Sequence, residues 1–321
     1  MKAKIIGTGY ELPVYEADNQ YLSTLIETSD EWIRERTGIG KRRLAKEETT
    51  TSLATGAAKK ALLKANVKAE EIELLIVATI TSDTETPSTA CRVQAELGAV
   101  HAVAFDINAA CSGFLYAIHI AESFIRSGIY KKALLIGAET LSKLVDWTDR
   151  GTCVLFGDGA GAAVLAASED GGVLAQSVGS NGEKWDVLSC MGRAINNPVH
   201  KGEKELGYLK MNGQDVFKFA VRTVPMCIED ALLKADVKAE EIDLFLLHQA
   251  NQRIIQSVAK RLKQPEEKFP MNIERCANTS AASLPILLAQ MEEEGRLHRG
   301  EKLVLSGFGA GLTWGACVLE W

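Results

Sequence analysis

Long apolar runs are missing from this sequence of 321 residues. It contains no stretch of about 18 or more consecutive apolar residues, the length that indicates a membrane-spanning helix. Its first residues, MKAKIIGTGYELP, also lack the apolar stretch and the small-residue cleavage site of a secretory signal. A positive charge excess is missing too, because 36 basic and 42 acidic residues give a net charge of −6. We therefore expect a cytoplasmic protein without general affinity for nucleic acid or a membrane.

Paired cysteines and nucleotide-binding motifs are missing as well. The seven cysteines stand singly, and no two have the Cys-x-x-Cys spacing, which argues against a disulfide framework and against a zinc site. The glycine-rich segments 157–161 and 306–311 lack the Gly-x-Gly-x-x-Gly spacing, which disfavours a nicotinamide cofactor. No Gly-x-Ser-x-Gly motif of a serine hydrolase occurs. These absences disfavour a zinc site, a nicotinamide cofactor and the chemistry of a serine hydrolase.

An internal repeat is what the sequence does contain. The segment ALLKANVKAEEIEL at 61–74 recurs as ALLKADVKAEEIDL at 231–244, with twelve of fourteen positions identical and an offset of 170 residues. The same offset pairs KKALLIGAET at 131–140 with EKLVLSGFGA at 301–310. A duplicated chain explains the equal offsets better than chance similarity of helix–strand junctions.

The repeat predicts an α/β fold with two related halves, 1–170 and 171–321. Short and almost continuously apolar runs, at 74–80 and 244–250, follow the repeated helical segments. Such runs are typical of parallel strands that are buried on both faces. The polar stretch from about 180 to 212 has little periodicity, and we expect it to be an excursion over the surface near the mouth of an active site.

Cys111 is the candidate nucleophile. The segment 102–128 predicts a strand, a tight turn of small residues and a largely apolar helix, and Cys111 falls at the turn. Most single cysteines are buried and inert. At the start of a helix, however, unpaired N–H groups and the macrodipole stabilise a thiolate, so we expect a lowered pKa for Cys111. A largely apolar helix can be buried centrally and hold the sulfur at the base of a tunnel.

Two residues of the second half are candidate partners. His248 ends an apolar strand at the edge where ligands bind in parallel α/β sheets. A histidine there can also be a hydrogen-bonded core residue, but the polar residues 249–253 that follow indicate a cavity. Asn278 is paired with Asn108 by the 170-residue offset, so its segment should face that of Cys111. Asn278 can also cap the next helix, which does not exclude a catalytic role.

Seven motifs then point to one family. They are TSDEWIRERTGI at 28–39, AACSGF at 109–114, DWTDRGTCVLFGDGAGA at 146–162, VFKFAVR at 216–222, HQANQRI at 248–254, NTSAAS at 278–283 and GFGAGLTWG at 307–315. Along essentially its whole length the sequence resembles the 3-oxoacyl-[acyl-carrier-protein] synthase III family of the thiolase superfamily. The resemblance implies a homodimer with a thiolase-like, duplicated, five-layered α-β-α-β-α fold.

The resemblance also implies a reaction in two stages. Cys111 accepts an acyl group from acyl-coenzyme A, and the backbone N–H groups of Cys111 and Ala310 form the oxyanion hole. Malonyl-acyl carrier protein then enters, and His248 and Asn278 donate hydrogen bonds to its thioester carbonyl while carbon dioxide leaves. The carbanion attacks the acyl-enzyme and gives 3-oxoacyl-carrier protein. Coenzyme A is needed only as the thioester substrate, because decarboxylation generates the carbanion without an external base.

Substrate-binding residues follow from the same resemblance. The adenine of coenzyme A is expected between Trp32 and Arg150, which offer a planar face and charge. Four further residues are expected near the coenzyme: Thr28, Arg36, Phe217 and Asn251. Five basic residues are candidates for docking the acidic carrier protein: Lys218, Arg222, Arg253, Lys260 and Arg261. Charged helix faces are more often merely solvated, so these five depend on the resemblance.

Three positions depart from the family pattern. Thr86 stands where many relatives carry a bulky residue that limits the primer pocket from across the dimer, so longer or branched starters become possible. Ala310 replaces a more usual glycine, and 276–277 replaces a common Tyr-Gly. The alternatives are a polyketide starter synthase, a hydroxymethylglutaryl-coenzyme A synthase, or a non-catalytic acyl-coenzyme A-binding relative. The short chain and the Cys/His/Asn set favour synthase III, and binding alone needs no nucleophile.

Overall fold

A computed structural model describes residues 1–202 and 207–321 of the chain. Its α-helices are α1 (Asn19–Leu22), α2 (Asp30–Thr37), α3 (Thr50–Ala65), α4 (Thr89–Leu97), α5 (Gly113–Arg126), α6 (Gly213–Ala235), α7 (Gln252–Leu262), α8 (Ile273–Cys276) and α9 (Ser283–Glu293). Short 3₁₀ turns, Ala110–Ser112 and Ser280–Ala282, immediately precede α5 and α9.

The first sheet has the strand order β1-β7-β6-β4-β5. Its strands are β1 (Lys2–Glu11), β4 (Leu74–Ala78), β5 (Val103–Ile107), β6 (Lys132–Thr140) and β7 (Asp158–Ser168). Strand β4 is buried along its whole length and pairs in parallel with β5 and β6, which confirms the prediction for 74–80. Strands β1 and β7 are antiparallel to their neighbours, a feature that the sequence analysis did not predict.

The second sheet repeats this arrangement with the order β13-β14-β15-β8. Its strands are β8 (Gly172–Ser180), β13 (Leu244–Leu247), β14 (Lys302–Gly309) and β15 (Thr313–Glu320). Strand β13 is parallel to β14, as predicted, and the other pairs are antiparallel. Within the described residues this sheet has no counterpart of β5, because the segment at the corresponding offset forms α8 instead.

The layers follow the order α-β-α-β-α. Helices α3 and α4 cover the outer face of the first sheet, and α6 and α7 cover the outer face of the second. Helices α5 and α9 lie between the two sheets and contact both. The predicted five-layered order is therefore confirmed. Because both sheets are covered on both faces, their strands carry apolar residues continuously rather than alternately.

The repeat has a clear backbone counterpart. Asn66 ends α3 and Asp236 ends α6 in the left-handed conformation, with φ angles of 52° and 54°. Asn and Asp tolerate this conformation better than other residues with a side chain, which explains why both copies keep one of them there. Ala110 and Ser280, also 170 residues apart, share a positive φ of 45° and 50° in the turns before the central helices.

Helix α5 is anchored in the middle of the molecule. Phe114, Leu115, Ile118 and Ile125 are at most 1% exposed and pack between the two sheets. Burying each side chain of this size contributes about 1.5–3 kcal/mol, before the entropy of ordering is subtracted. The start of α5, and with it the turn that carries Cys111, is therefore held firmly.

Three two-stranded ladders complete the described structure. They are β2 (Glu16–Asp18) with β3 (Lys41–Arg43), β9 (Leu188–Cys190) with β12 (Leu209–Met211), and β10 (Asn196–Asn197) with β11 (His200–Lys201). The last two lie in the predicted excursion. Among the described helices, none combines the length and the apolar character that crossing a bilayer requires.

Candidate active site

Cys111 lies at the centre of a tightly packed turn. It is 9% exposed and sits in the 3₁₀ turn that leads into α5, where the sequence predicted it. The Thr313 hydroxyl donates to the carbonyl of Ala109 at 3.1 Å and lies 3.2 Å from the Ser112 hydroxyl, which ties the turn to β15. A Cβ at Gly309 would lie only 2.6 Å from the backbone nitrogen of Cys111. The glycine at 309 thus permits the second sheet to approach the nucleophile.

The ionisation of Cys111 differs from the sequence expectation. Burial, with a smaller contribution from the Glu139 carboxyl, raises the pKa of the thiol to about 12, while the Ser280 hydroxyl acts in the opposite direction. The predicted lowering at a helix start is therefore wrong for the free protein, because desolvation of the thiolate outweighs the favourable backbone groups. The resting side chain of Cys111 is a thiol, so it would have to lose its proton to act as the predicted nucleophile.

His248 is a buried, neutral imidazole at the end of β13. Its backbone N–H donates to Ser306 at 2.8 Å, and its ring meets the edge of Phe308 with 5.7 Å between centroids. Burial lowers the pKa of His248 to about 3, so the ring carries no charge near neutral pH. Within the described part of the chain, Nδ1 has no hydrogen-bond partner. A proton on Nε2 would leave Nδ1 as an unpaired acceptor, which is tolerated better than an unpaired donor.

Hydrogen bonds hold the backbone of Asn278, and they engage only one of the two polar atoms of its side chain. Its backbone N–H donates to Leu155 and its carbonyl accepts from Gly157, both at 3.0 Å. The side-chain Oδ1 accepts from the backbone N–H of Ser280 at 2.9 Å. This bond closes a local turn before the 3₁₀ segment Ser280–Ala282 and does not cap α9, which has no side-chain cap, so the capping alternative is wrong. The bond uses only the oxygen of the carboxamide. The Nδ2 group remains available as a hydrogen-bond donor, and Asn278 lines the same cavity as Cys111 and His248.

A cavity of 1120 Å³ connects these three side chains to the surface. Ala310 lines it beside Gly309, close to the Cys111 turn. The excursion contributes part of the wall through 186–190 and 209–212, in agreement with its predicted place at the mouth. Apolar side chains form much of the inner wall: Ile80, Leu141, Val154, Phe156, Leu209 and Phe308.

The mouth carries most of the predicted coenzyme-binding residues. Trp32, Arg36, Arg150, Phe217 and Asn251 all line it. The guanidinium groups of Arg36 and Arg150 lie over the Trp32 ring, 4.4 and 4.8 Å from its centroid. The Asn251 side chain donates to the carbonyl of Arg36 at 2.8 Å, which joins α2 to the start of α7. Two cations and one large aromatic face are thus concentrated at the entrance.

The remaining predicted residues are more dispersed. Thr28 does not line the cavity, although its hydroxyl is buried and unpaired among the described atoms. Lys218 and Arg253 lie at the mouth, and Arg222 lines a neighbouring groove together with Lys218. Lys260 and Arg261 are exposed near the end of α7 and line neither the cavity nor the neighbouring groove. Thr86 is also exposed and also lies outside both.

Sequence reasoning missed two polar residues beneath the nucleophile, Ser280 and Glu139. Ser280 lines the cavity, and Glu139 is fully buried near the end of β6. Glu139 could have been noticed because it ends an apolar strand at the same kind of edge as His248. Gln249 was also missed: its Oε1 accepts from the backbone of Asn272 at 3.1 Å, linking β13 to the segment before Asn278.

Gly309→Ala should displace the nucleophile. The added methyl group would lie 2.6 Å from the backbone nitrogen and 3.2 Å from Cα of Cys111, and neither atom can move without shifting α5. A misplacement of roughly 1 Å can cost about 100-fold in rate, so we expect the acyl transfer to Cys111 that the resemblance implies to slow by at least that factor. Rapid-quench measurement of acyl transfer checks this.

Gly182→Ala is the matched control, because a Cβ at Gly182 meets no atom within 4 Å. It should transfer acyl groups at the wild-type rate. Normal acyl transfer by a folded Gly309→Ala variant would contradict the close approach described above.

No group of three or more His, Cys, Asp or Glu side chains that could hold a metal ion occurs in residues 1–202 and 207–321. The cavity lining instead offers a thiol, an imidazole, a carboxamide and backbone groups, with cations at the entrance. This set suits acyl transfer between thioesters, in which a sulfur nucleophile and neutral hydrogen-bond donors do the chemical work.

Comparison with known proteins gives a consistent result. Family models match two parts of the chain: 3-oxoacyl-[acyl-carrier-protein (ACP)] synthase III at residues 105–182, and the C-terminal part of the same family at residues 232–321. A beta-ketoacyl-[acyl-carrier-protein] synthase III from Clostridium perfringens is 51% identical over 320 residues, which cover 99% of each chain. One from Clostridium tetani is 47% identical and covers 100% of this chain and 98% of its own.

Solved structures of members of this family and of a related ketosynthase are similar to this chain over nearly its whole length. The crystal structure of 3-oxoacyl-[acyl-carrier-protein] synthase III from Aquifex aeolicus has a TM-score of 0.93 and 49% identity, covering 99% of this chain and all of that one. The priming beta-ketosynthase of the R1128 polyketide pathway has a TM-score of 0.94 and 34% identity, covering 99% of this chain and 96% of that one.

Proposed function

The chain belongs to the 3-oxoacyl-[acyl-carrier-protein] synthase III family, and from this premise we propose that Cys111 carries the starter acyl group while His248 and Asn278 activate the malonyl unit. The enzyme is an acyltransferase that catalyses the initiating condensation of fatty acid biosynthesis, with acyl-coenzyme A and malonyl-acyl carrier protein as substrates. The observation that carries the assignment of roles is that Cys111, His248 and Asn278 come from separate elements but line one cavity.

In the first stage Cys111 attacks the thioester carbonyl of the starter. The developing oxyanion accepts hydrogen bonds from the backbone N–H groups of Cys111 and Ala310, which are fixed by the contact between their two turns. The methyl group of Ala310 leaves its N–H available. Cys111 gives its thiol proton to a base in the site as the new S–C bond forms, coenzyme A leaves as the thiolate and takes a proton from solvent, and Cys111 is left as a thioester.

In the second stage His248 and Asn278 act as neutral donors. The lowered pKa of His248 keeps the ring uncharged, and the hydrogen bond at Oδ1 of Asn278 leaves Nδ2 for the substrate. Both donors stabilise the enolate that forms as carbon dioxide leaves. The carbanion then attacks the acyl group, and Cys111 is expelled as a thiolate. No metal or redox cofactor enters this scheme, because bond cleavage to carbon dioxide supplies the electron pair.

At the mouth, Trp32 and Arg150 bind the adenine of coenzyme A, with Thr28, Arg36, Phe217 and Asn251 around them. A flat base between Trp32 and Arg150 needs about 7 Å, twice an ordinary contact distance. The two groups are 4.8 Å apart in the free protein, so Arg150 moves outward when the base enters. The charges of Arg36 and Arg150 also suit the phosphates of the coenzyme.

The carrier protein docks on the basic surface beside the mouth, which we define as Lys218, Arg222, Arg253, Lys260 and Arg261. All five side chains are exposed, and Lys218 and Arg253 reach the entrance itself. An acidic carrier protein is attracted to such a surface over roughly one Debye length, about 8–10 Å at ordinary salt. Lys218 and Arg253 are the most directly placed, and Lys260 and Arg261 the least.

The enzyme works as a homodimer in which β5 strands of two copies pair. Strand β5 is the edge of the first sheet, and Val103 on it and Val100 before it are 51% and 68% exposed. An open apolar edge strand is a ready site for pairing with another chain. Within each copy, 1–170 forms the half with the nucleophile and 171–321 the half with His248 and Asn278. A cytoplasmic location stays a prediction.

Thr86→Phe should restrict the starter. Thr86 is exposed and outside the cavity of its own chain, so it can bound a primer pocket only in a second copy. A phenylalanine there would fill space that a longer or branched acyl chain occupies, and one or a few methylenes are worth about 10- to 200-fold in discrimination. We expect longer and branched starters to lose at least 10-fold in kcat/KM and acetyl-coenzyme A to be unaffected.

Mass spectrometry of the acyl-enzyme after competition among acetyl, branched and longer donors checks this prediction. Thr86→Val, which changes the chemistry of the exposed side chain but keeps its volume, is the control and should leave starter choice unchanged. Equal starter preference in wild type and Thr86→Phe would contradict a place for Thr86 in the primer pocket.

The overall assignment is tested by supplying acyl-coenzyme A and malonyl-carrier protein together. We expect equal amounts of carbon dioxide, free coenzyme A and 3-oxoacyl-carrier protein. A hydroxymethylglutaryl-coenzyme A synthase would consume acetoacetyl-coenzyme A without releasing carbon dioxide, and a non-catalytic relative would form no product. Either of those results would reject the assignment.

A further inference from the structure

Glu139 is a buried carboxyl group that the proposed chemistry does not yet use. Its side chain is 0% exposed. Its Oε2 accepts hydrogen bonds from the hydroxyl of Thr81 at 2.5 Å, the hydroxyl of Thr79 at 3.3 Å and the backbone N–H of Ile80 at 3.2 Å. No Lys, Arg or His forms an ion pair with it in the described residues. The site therefore offers several hydrogen-bond donors to a carboxylate, and the Lys143 ammonium interacts with Glu139 electrostatically without forming an ion pair with it.

The environment makes Glu139 able to hold a proton near neutral pH. Burial raises its pKa to about 7, against the lowering influence of Thr81, Ile80, Ser280 and Thr79. Carboxyl groups that are merely structural are usually paired or solvated and stay ionised at this pH. A carboxyl that gains and loses a proton in the working range of an enzyme is instead suited to proton transfer.

Ser280 lies between Glu139 and the nucleophile. The turn that carries Ser280 packs against both β6 and the start of α5, because a Cβ at Gly137 would collide with the carbonyl oxygen of Ala281 and one at Gly113 would lie 3.4 Å from the Cβ of Ala281. In keeping with this position, the Ser280 hydroxyl lowers both the pKa of Cys111 and the pKa of Glu139. The hydroxyl is buried and makes no hydrogen bond of ordinary geometry to any described atom. Such bonds are often long in a free enzyme and tighten when substrate binds. Ser280 and Cys111 both line the cavity, whereas the buried Glu139 does not, so the Ser280 hydroxyl is the group through which a proton would pass between Glu139 and the thiol.

The other group near the sulfur is a much weaker base. The pKa of His248 is about 3, whereas that of Glu139 is about 7. The imidazole is thus about ten-thousandfold less basic than the carboxylate, since each pKa unit is one factor of ten. The pKa of the Cys111 thiol, about 12, means that a base must accept its proton during the attack.

We propose that Glu139 is a positioning residue that accepts the proton of Cys111 through Ser280 during acylation, stores it while the acyl-enzyme waits, and returns it when the condensation releases the sulfur. The proposal rests on the proposed function, since it concerns the same thiol. It extends that function by assigning the route and the resting place of the proton.

The steps balance. In acylation the new S–C bond forms as the S–H proton of Cys111 passes to Ser280 and the Ser280 proton passes to the Glu139 carboxylate. The bond to coenzyme A breaks, and its thiolate takes one proton from solvent. In condensation the malonyl carboxylate leaves as carbon dioxide, the carbanion attacks the acyl carbon, and the Cys111 thiolate is expelled. Glu139 then returns its proton through Ser280. One solvent proton is consumed in each cycle.

Few charged groups face this site. Cys111 faces it from the turn before α5, and Lys143 from the turn after β6. Lys143 donates to the backbone carbonyls of Thr81 and Ser82 and lies 3.8 Å from Asp83. Asp158 of β7 acts on Lys143 and is otherwise bonded to the backbone of Ala45 and to Ser142. Asp83 and Asp158 therefore belong to the surroundings of Lys143 and not to the path between Glu139 and Cys111.

The test is single-turnover acyl transfer from acetyl-coenzyme A to the full-length enzyme between about pH 5.5 and 9. In the wild type, the rate should rise with pH through an apparent pKa of about 7, because the carboxylate form accepts the proton. Glu139→Gln keeps the size and the acceptor for Ile80 but cannot take a proton. Its rate should fall about 100-fold at pH 8, the scale of general-base catalysis, and the rise near pH 7 should disappear.

Two further variants separate proton storage from structure. Thr79→Val removes a hydrogen bond that lowers the pKa of Glu139, so the rise should move to higher pH with little change in the plateau. Asp158→Asn removes another buried carboxyl of the same region that lies off the path, so the rise should stay near pH 7. If Glu139 had only a structural role, the pH of the rise in rate would not move in Thr79→Val while it stayed near 7 in Asp158→Asn.

Ser280→Ala removes the relay and leaves the carboxyl in place, so it decides the question even if Glu139→Gln does not fold. It should lose the rise near pH 7 and about 100-fold in rate. Wild-type rates and pH dependence in folded Glu139→Gln or Ser280→Ala would overturn the proposal and leave the proposed function standing. A wild type that accepts no acyl group would reject the proposed function itself.

Discussion

Cys111→Ala will accept no acyl group from acyl-coenzyme A and will form no 3-oxoacyl product. The sulfur is the only atom in the proposed scheme that bonds to the starter, so its removal eliminates the acyl-enzyme rather than slowing its formation. Condensation should fall by at least about 10⁴-fold, close to the limit of detection, as is typical when a nucleophile is removed. Stopped assays of product, with intact-protein mass spectrometry of the acyl-enzyme, measure both effects.

The same variant should still decarboxylate malonyl-carrier protein. His248 and Asn278, to which we assign stabilisation of the enolate, keep backbone hydrogen bonds that do not involve Cys111: the His248 N–H donates to Ser306, and Asn278 bonds to Leu155 and Gly157. Without an acyl partner the enolate is protonated and released as acetyl-carrier protein.

Cys276→Ala is the matched control, because Cys276 is also buried, lies two residues from Asn278 and faces a different cluster. It should be acylated normally. If acyl incorporation persisted in Cys111→Ala but was lost in Cys276→Ala, then Cys276 and not Cys111 would carry the acyl group.

His248→Ala will show the reverse pattern, with acylation retained and decarboxylation lost. Removing one preorganised donor to a developing oxyanion costs about 10²–10³-fold, and we expect the upper end because the ring is buried and rigidly held. Alanine keeps the Cβ that already packs against Gly307, so the backbone should not shift. Carbon dioxide release and acyl transfer, measured separately in single turnovers, test the division of labour.

A second variant and the pH dependence of decarboxylation test this prediction further. His248→Gln supplies a neutral donor without a base, so it should retain more decarboxylation than His248→Ala. The step should also be independent of pH from about 5 to 8, since a pKa lowered to about 3 leaves the imidazole neutral throughout that range. Equal loss of acylation and decarboxylation in His248→Ala would contradict separate roles, and a rise through pH 6.5 would contradict the neutral ring.

The parts of the fold that the sequence predicted are those with a strong local signal. Most of the apolar runs at 74–80 and 244–250 form parallel strands, at 74–78 and 244–247, because nearly every residue in these strands is apolar. The small residues around Cys111 form a turn before a buried helix. Strands β1 and β7 were not predicted as an antiparallel pair, because small residues and glycines such as those of DGAGAAVLAAS show neither a strand period nor a direction.

The features of the site that were not predicted depend on how deeply a group is buried and on contacts between segments that are distant in the sequence. A helix start lowers the pKa of a thiol locally, but complete burial between two sheets raises the pKa of Cys111 far more, and burial is a property of the whole fold. Glu139 could be placed at a strand end but not beneath the nucleophile, since that requires β6 and the turn of Ser280 to approach closely. Thr86 acts, if it bounds the primer pocket, on a second copy of the chain.

The most direct measurement is peptide mapping of the wild-type enzyme by mass spectrometry after brief incubation with acetyl-coenzyme A. We expect one acetyl group per chain, located on the peptide that contains Cys111, and its disappearance when malonyl-carrier protein is added. An acetyl group on a different cysteine, or an acetyl group on Cys111 that malonyl-carrier protein does not discharge, would contradict the account.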